Sequence, residues 1–192
     1  MNQIVGQWQV GGLLRLASGA PLTLTGGTDF RTISVNSSTV NILGTMPDGK
    51  LSFRNDGRLP TFWEGLVQTT AAADPVSANV TTVDTLRSAY SGRAIVDANG
   101  NVLFVNAQPG EPGTVGLRTV RGPSRFELDM NLLKRVRLSE TKQLEFRADI
   151  VNVLNHPVFD NPNTNINSAS FGLISATANP PRRFTMGARL NF

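Results

Sequence analysis

Residues 183–192 read R-F-T-M-G-A-R-L-N-F. Phe184, Met186, Ala188, Leu190 and Phe192 fall on one side; Arg183, Thr185, Gly187, Arg189 and Asn191 fall on the other. Successive side chains of a β-strand point to opposite faces, so the alternation predicts a two-faced strand with Phe192 in its apolar row. Such a strand has two settings. In a soluble sandwich the apolar row covers a core. In an outer-membrane barrel it meets lipid, and the polar row meets a wet lumen.

The same alternation recurs upstream. Around residue 125, R-F-E-L-D-M-N-L-L-K-R sets Phe126, Leu128, Met130 and Leu132 against Arg125, Glu127, Asp129 and Asn131. A short turn at Ser139, Glu140 and Thr141 follows. Q-L-E-F-R-A-D-I then opposes Leu144, Phe146, Ala148 and Ile150 to Gln143, Glu145, Arg147 and Asp149. At Val151-Asn152-Val153 an Asn lands on the apolar side, which predicts a bulge or the strand end. Residues 5–16 alternate too, with Trp8, Val10, Gly12, Leu14 and Leu16 sharing a face. Ser18-Gly19-Ala20-Pro21 is expected to bend or bulge that strand, and L-T-L-T from Leu22 to continue it.

Between residues 26 and 122 the periodicity weakens. Pro47-Asp48-Gly49, Asn55-Asp56-Gly57 and residues 109–113 (P-G-E-P-G) are turn chemistry. A short helix is expected over 81–89. Residues 94–96 and 102–105 flank Asp97-Ala98-Asn99-Gly100-Asn101, a local hairpin signal. So long a stretch of loop is unusual inside a compact soluble domain and ordinary on the outer rim of a barrel. The links before Ser124 and after Leu154 are long, whereas the turn near Ser139 is short. Barrels combine short periplasmic turns with long outer loops, and four strands of about ten residues have the length a tilted membrane strand needs.

Composition narrows the function classes. Cysteine is absent, which removes disulfides, thiol catalysis and cysteine metal sites. No apolar run approaches the roughly 18 residues of a membrane helix. The formal charge is +4, with 18 basic and 14 acidic residues. The bases are spread through alternating strands beside acids, so nucleic acid is not the expected partner. Met1 is followed by neither a basic nor a long apolar stretch, so export is expected to depend on an upstream portion.

Candidate sites are few. His156, the one histidine, has no acid or second ligand at metal spacing, and its loop accounts for it. The Asp97–Asn101 run faintly resembles a calcium loop, but position 108 is Gln where a bidentate Glu belongs, and a hairpin turn explains it more simply. Ser18 lacks the preceding Gly and the triad of a nucleophile elbow. Phe62 and Trp63 in P-T-F-W-E-G are either a loop contact for a ligand or anchors of their own loop. The amides of Asn161 to Asn167 are more simply turn formers than a sugar or cation site. No residue is assigned a catalytic, cofactor or metal role, and no cofactor is expected.

The stretch 122–192 resembles the carboxy-terminal end of TonB-dependent receptor-like outer-membrane proteins, specifically the Oar-like group. The matching pieces are R-G-P-S-R-F-E-L-D-M-N-L-L-K-R, L-E-F-R-A-D-I-V-N-V-L-N-H-P-V-F, N-P-N-T-N-I, S-A-S-F-G-L-I-S-A-T-A-N-P-P-R-R-F and the ending G-A-R-L-N-F. Upstream, Q-W-Q-V-G-G-L-L-R-L-A-S-G-A-P-L-T is similar to a family strand ending in S-G-x-P. The resemblance implies an all-β antiparallel fold, the last part of a roughly 22-stranded barrel with a plug in its lumen. Residues 1–25 would supply one barrel strand, 26–122 a long extracellular loop region with a small hairpin, and 123–192 three barrel strands and one long loop. It also implies an outer-membrane location in contact with lipid, and ligand uptake through the missing amino-terminal barrel and plug, on which an energy-coupling complex pulls. Phe184, Met186, Ala188, Leu190 and Phe192 resemble the signal read by the barrel-assembly machinery. Signal peptide, plug and energy-coupling box are not in these residues, so the chain is expected to be part of a longer receptor and inactive alone. The other reading of the residues is a secreted β-sandwich binding module of adhesin type.

Overall fold

A computed structural model describes residues 6–26, 39–53, 59–70, 93–107 and 112–192. Every regular element among them is a β-strand: β1 (Trp8–Ala17), β2 (Pro21–Leu22), β3 (Val40–Ile42), β4 (Val67–Thr70), β5 (Arg93–Val96), β6 (Val102–Asn106), β7 (Val120–Arg121), β8 (Arg125–Arg137), β9 (Gln143–Val151) and β10 (Arg183–Asn191). All strand pairs are antiparallel. The helix expected over 81–89 and the turn at Asn55-Asp56-Gly57 lie outside the described residues.

The chain divides into two compact units. The first comprises Met1–Ala17, Ser124–Phe159 and Ala176–Phe192; the second comprises Ser18–Pro123 and Asp160–Ser175. Unit one carries the four strands read from alternation, in the sheet order β1-β8-β9-β10. Arg137 faces Gln143 across the short turn. That turn is closed by the Leu138 and Ser139 N–H groups donating to the Lys142 carbonyl at 2.9 and 3.2 Å. Strand β9 stops at Val151 because Asn152 takes φ +52, a left-handed conformation that breaks the pleat. The strand-end alternative is therefore the one realised.

One expectation is met only in part. After an interruption at residues 18–20, Pro21–Leu22 pairs with Val120–Arg121 in the same register that Ala17 keeps with Arg125, but of L-T-L-T only Leu22 is in a strand. Close backbone contact marks the interruption: a Cβ on Gly19 would stand 1.7 Å from the Gly122 carbonyl oxygen. Leu24, just beyond, is wholly buried in unit two.

Unit two has its own core. Its larger sheet runs β3-β6-β5-β4. Leu24, Val40, Ile95, Phe104, Ile166 and Ile174 are all buried to within 1 %. Unit one is the opposite: Val158 is its single buried hydrophobic residue among those described, while Trp8, Val10, Leu14, Leu16, Phe146, Phe184, Met186 and Leu190 are exposed. An ordinary water-soluble sheet hides such a row, because contiguous apolar patches beyond a few hundred Å² are rare on soluble monomers.

Candidate membrane-facing and luminal surfaces

Strand register places every apolar row of unit one on the same side. Across the sheet run Leu16–Phe126, Leu14–Leu128, Gly12–Met130–Ile150–Phe184, Val10–Leu132–Ala148–Met186, Trp8–Lys134–Phe146–Ala188 and Val136–Leu144–Leu190. A register slip of one residue on any strand would mix the faces; none occurs. Ten residue steps separate Phe126 from Val136 on β8. At about 3.4 Å per residue and about 40° of tilt they rise about 26 Å, close to the roughly 25 Å apolar band of outer-membrane barrels.

Lys134 is the one charged residue in these rows, and sequence reasoning passed over it although its parity with Leu132 was the signal. Its ammonium donates to the Gly6 carbonyl and lies 4.9 Å from the centre of the Trp8 ring. Near the turn end of the sheet, a Lys beside a Trp suits an interface, where a lipid-facing cation costs only about 0–1 kcal/mol. At the midplane it would cost about 2–4 kcal/mol.

The opposite side is polar and charged. Arg15 faces Glu127 and reaches it at 3.7 Å and Asp129 at 3.3 Å. Arg135 holds Glu145 across the β8–β9 pair at 2.9 Å, and Arg147 holds Asp149 along β9 at 2.8 Å. These pairs are largely solvated, so each contributes at most about 1 kcal/mol and orders the face more than it stabilises the fold.

The link from β9 to β10 is tied by amides. Asn152 donates to the carbonyls of His156 (3.2 Å) and Pro180 (3.1 Å), and its Oδ1 accepts the His156 N–H at 2.9 Å. Asn179 Oδ1 accepts the Val158 N–H at 2.8 Å, and its amide donates to the His156 carbonyl at 2.9 Å. The His156 ring meets Phe126 edge-on at 5.8 Å. This is the surrounding of a structural residue.

In unit two, Phe62 and Trp63 are 3 % and 4 % exposed, and Trp63 stacks on Phe171 at 5.2 Å. Both side chains thus pack within unit two. The amides of 161–167 are turned inward as well. Asn165 and Asn167 N–H groups donate to the side chains of Asn163 and Asn165. Asn167 exchanges two amide bonds with buried Asn106, at 2.9 and 3.0 Å.

Asp97 closes the β5–β6 hairpin as expected of its sequence. Its Oδ1 accepts the N–H groups of Asn99 and Asn101 at 2.8 Å, and Gly100 takes φ +83. The Asn101 side-chain amide, followed by that residue's N–H, holds the Asp97 carboxyl below the ordinary carboxylate value. A folded pKa below the unfolded one stabilises the turn above the unfolded value, and that contribution is lost as pH falls through the folded pKa. The protection of the Asn101 amide relative to its intrinsic exchange rate is therefore expected to fall below the ordinary carboxylate range, and Asp97→Asn to flatten that pH dependence. Among the described residues no group of three or more His, Asp or Glu could hold a metal ion.

A family model described as outer membrane beta barrel domain matches residues 1–185. No curated protein and no solved structure matches the chain.

Proposed function

Since the chain belongs to the outer-membrane β-barrel domain family, we propose that its four-stranded sheet is a section of wall in a larger barrel of the TonB-dependent, Oar-like receptor type. Its apolar rows face lipid and its charged rows a lumen. In this reading the protein contributes wall and outer loops to ligand uptake and performs no chemistry itself.

The observation that carries the proposal is the exposed side of β1-β8-β9-β10, apolar in every row and charged only at Lys134. A sandwich module would cover it with a second layer. The edges of β1 and β10 point the same way: among the described residues the sheet order leaves each with one unpaired side, and small closed barrels begin at about eight strands. In lipid an unpaired edge costs several kcal/mol for each polar group, so further strands must flank these two. The receptor reading adds a plug in the lumen, an energy-coupling complex acting on it, and assembly machinery recognising Phe184, Met186, Ala188, Leu190 and Phe192.

Fractionation of native cells tests this. The protein should remain with outer membranes through alkaline and high-salt washes and run faster on gels before boiling than after. Full recovery in the soluble fraction contradicts the wall. The transcript around Met1 tests the receptor: in-frame codons for further alternating strands and a plug support it, and a stop codon shortly upstream removes it.

A further inference from the structure

Building on that wall reading, we infer that the turn end of the polar face is an anion-collecting zone, and that the solutes taken up are small and negatively charged. Counted from the turn, the first polar rows are Arg137–Gln143–Asn191, Arg135–Glu145–Arg189 and Gln9–Leu133–Arg147–Gly187. They hold four guanidinium groups and one carboxylate. Glu140 and Lys142 in the turn cancel each other. Farther along, Arg15, Arg125 and Arg183 are matched by Glu127, Asp129 and Asp149. One half of the face is therefore strongly positive, and the other is balanced.

Pairing narrows the positive zone to two guanidinium groups, those of Arg137 and Arg189. Glu145 is engaged by Arg135, and Arg147 leans to Asp149. Among the described residues no carboxylate lies within ion-pair distance of Arg137 or Arg189, and both are exposed. Adjacent rows stand about 7 Å apart and adjacent strands about 5 Å, so these charges act together within about one Debye length at physiological salt. A low-dielectric wall beside a wet cleft focuses such a field and enriches counter-ions locally.

The zone also has room. A Cβ on Gly187 would meet nothing within 4 Å. The backbone there forms an open floor, with Arg147 opposite and Arg189 two residues on. Arginine forks match the paired oxygens of carboxylate and phosphate groups, whereas a cation would find only Glu145, already occupied.

These 192 residues contain no cysteine, so with any cysteine elsewhere in the protein replaced by Ser an introduced thiol is the target for a thiol reagent. Gln143→Cys places it in the positive zone, and Thr185→Cys places it in the balanced half. The full-length protein in phospholipid vesicles at low salt is treated with sulfonate-bearing and with trimethylammonium-bearing methanethiosulfonates. The anion-to-cation rate ratio should be about tenfold higher at Gln143→Cys than at Thr185→Cys. It should fall to the Thr185→Cys value in 1 M salt and on adding Arg137→Gln with Arg189→Gln. Equal ratios at the two positions overturn the anion zone and leave the luminal wall standing. If neither thiol reacts while Phe146→Cys does, the wet and greasy sides are exchanged, and the wall reading falls with the inference.

Discussion

Met186→Arg is expected to destabilise the membrane-inserted protein by about 2–4 kcal/mol, because its row lies near the middle of the apolar band. The position separates solvents cleanly. Met186 is 79 % exposed, so its removal forfeits little packing within the sheet. In water an exposed Met→Arg change of this kind costs within about 0.5 kcal/mol. In hydrocarbon the guanidinium loses its hydration, and no acid neighbours it in the Val10–Leu132–Ala148–Met186 row. Phe146→Arg should cost less for its charge, about 1 kcal/mol, since Phe146 shares the Lys134 row nearer the interface. Urea unfolding from vesicles measures both. Equal, near-zero effects at the two sites would place these rows in water.

Asn152→Ala is expected to cost about 2–3 kcal/mol: it orphans the His156 N–H and the Pro180 carbonyl and puts a Cβ residue without a side-chain bond at φ +52. The residue is 5 % exposed, so water cannot fully replace the lost partners. Asn152→Gly loses the same bonds but tolerates the left-handed backbone, and should be about 1 kcal/mol less damaging than Ala. A Gly variant as stable as the wild type would show that the amide clamp contributes nothing, leaving only backbone conformation. Unfolding by denaturant distinguishes these orders, and wild type above Gly above Ala is the expected one.

The wall was legible in the sequence because period-two patterning is local. Phe184, Met186, Ala188 and Leu190 announce their common side within eight residues, and the partner strands repeat the message. The strand end at Asn152 was legible for the same reason, as a single residue out of parity. Unit two was not, because its core is assembled from distant pieces. Leu24, Val40, Ile95, Phe104 and Ile174 come from five separate segments, and Trp63 finds its stacking partner at Phe171. No window of the chain contains such a pattern. The Asn-rich run 161–167 shows the same limit. Its turn chemistry could be read locally, but the reciprocal amide pair with Asn106 lies 61 residues away. The close approach of Gly19 to Gly122 is another distant contact. Lys134 differs from these: its position in the apolar row was readable, and only the expectation of unbroken hydrophobicity hid it.

The central claim concerns what touches the apolar side of β1-β8-β9-β10, and Trp8 sits on it at 51 % exposure. Steady-state fluorescence of the full-length protein in vesicles of brominated phosphatidylcholine reads that contact directly. A component of the quenching that is greater for bromine near the headgroup than deep in the chain and that is lost in Trp8→Phe is the predicted result. Fluorescence unchanged by bromine in a protein that remains folded and monomeric in water without detergent would contradict it.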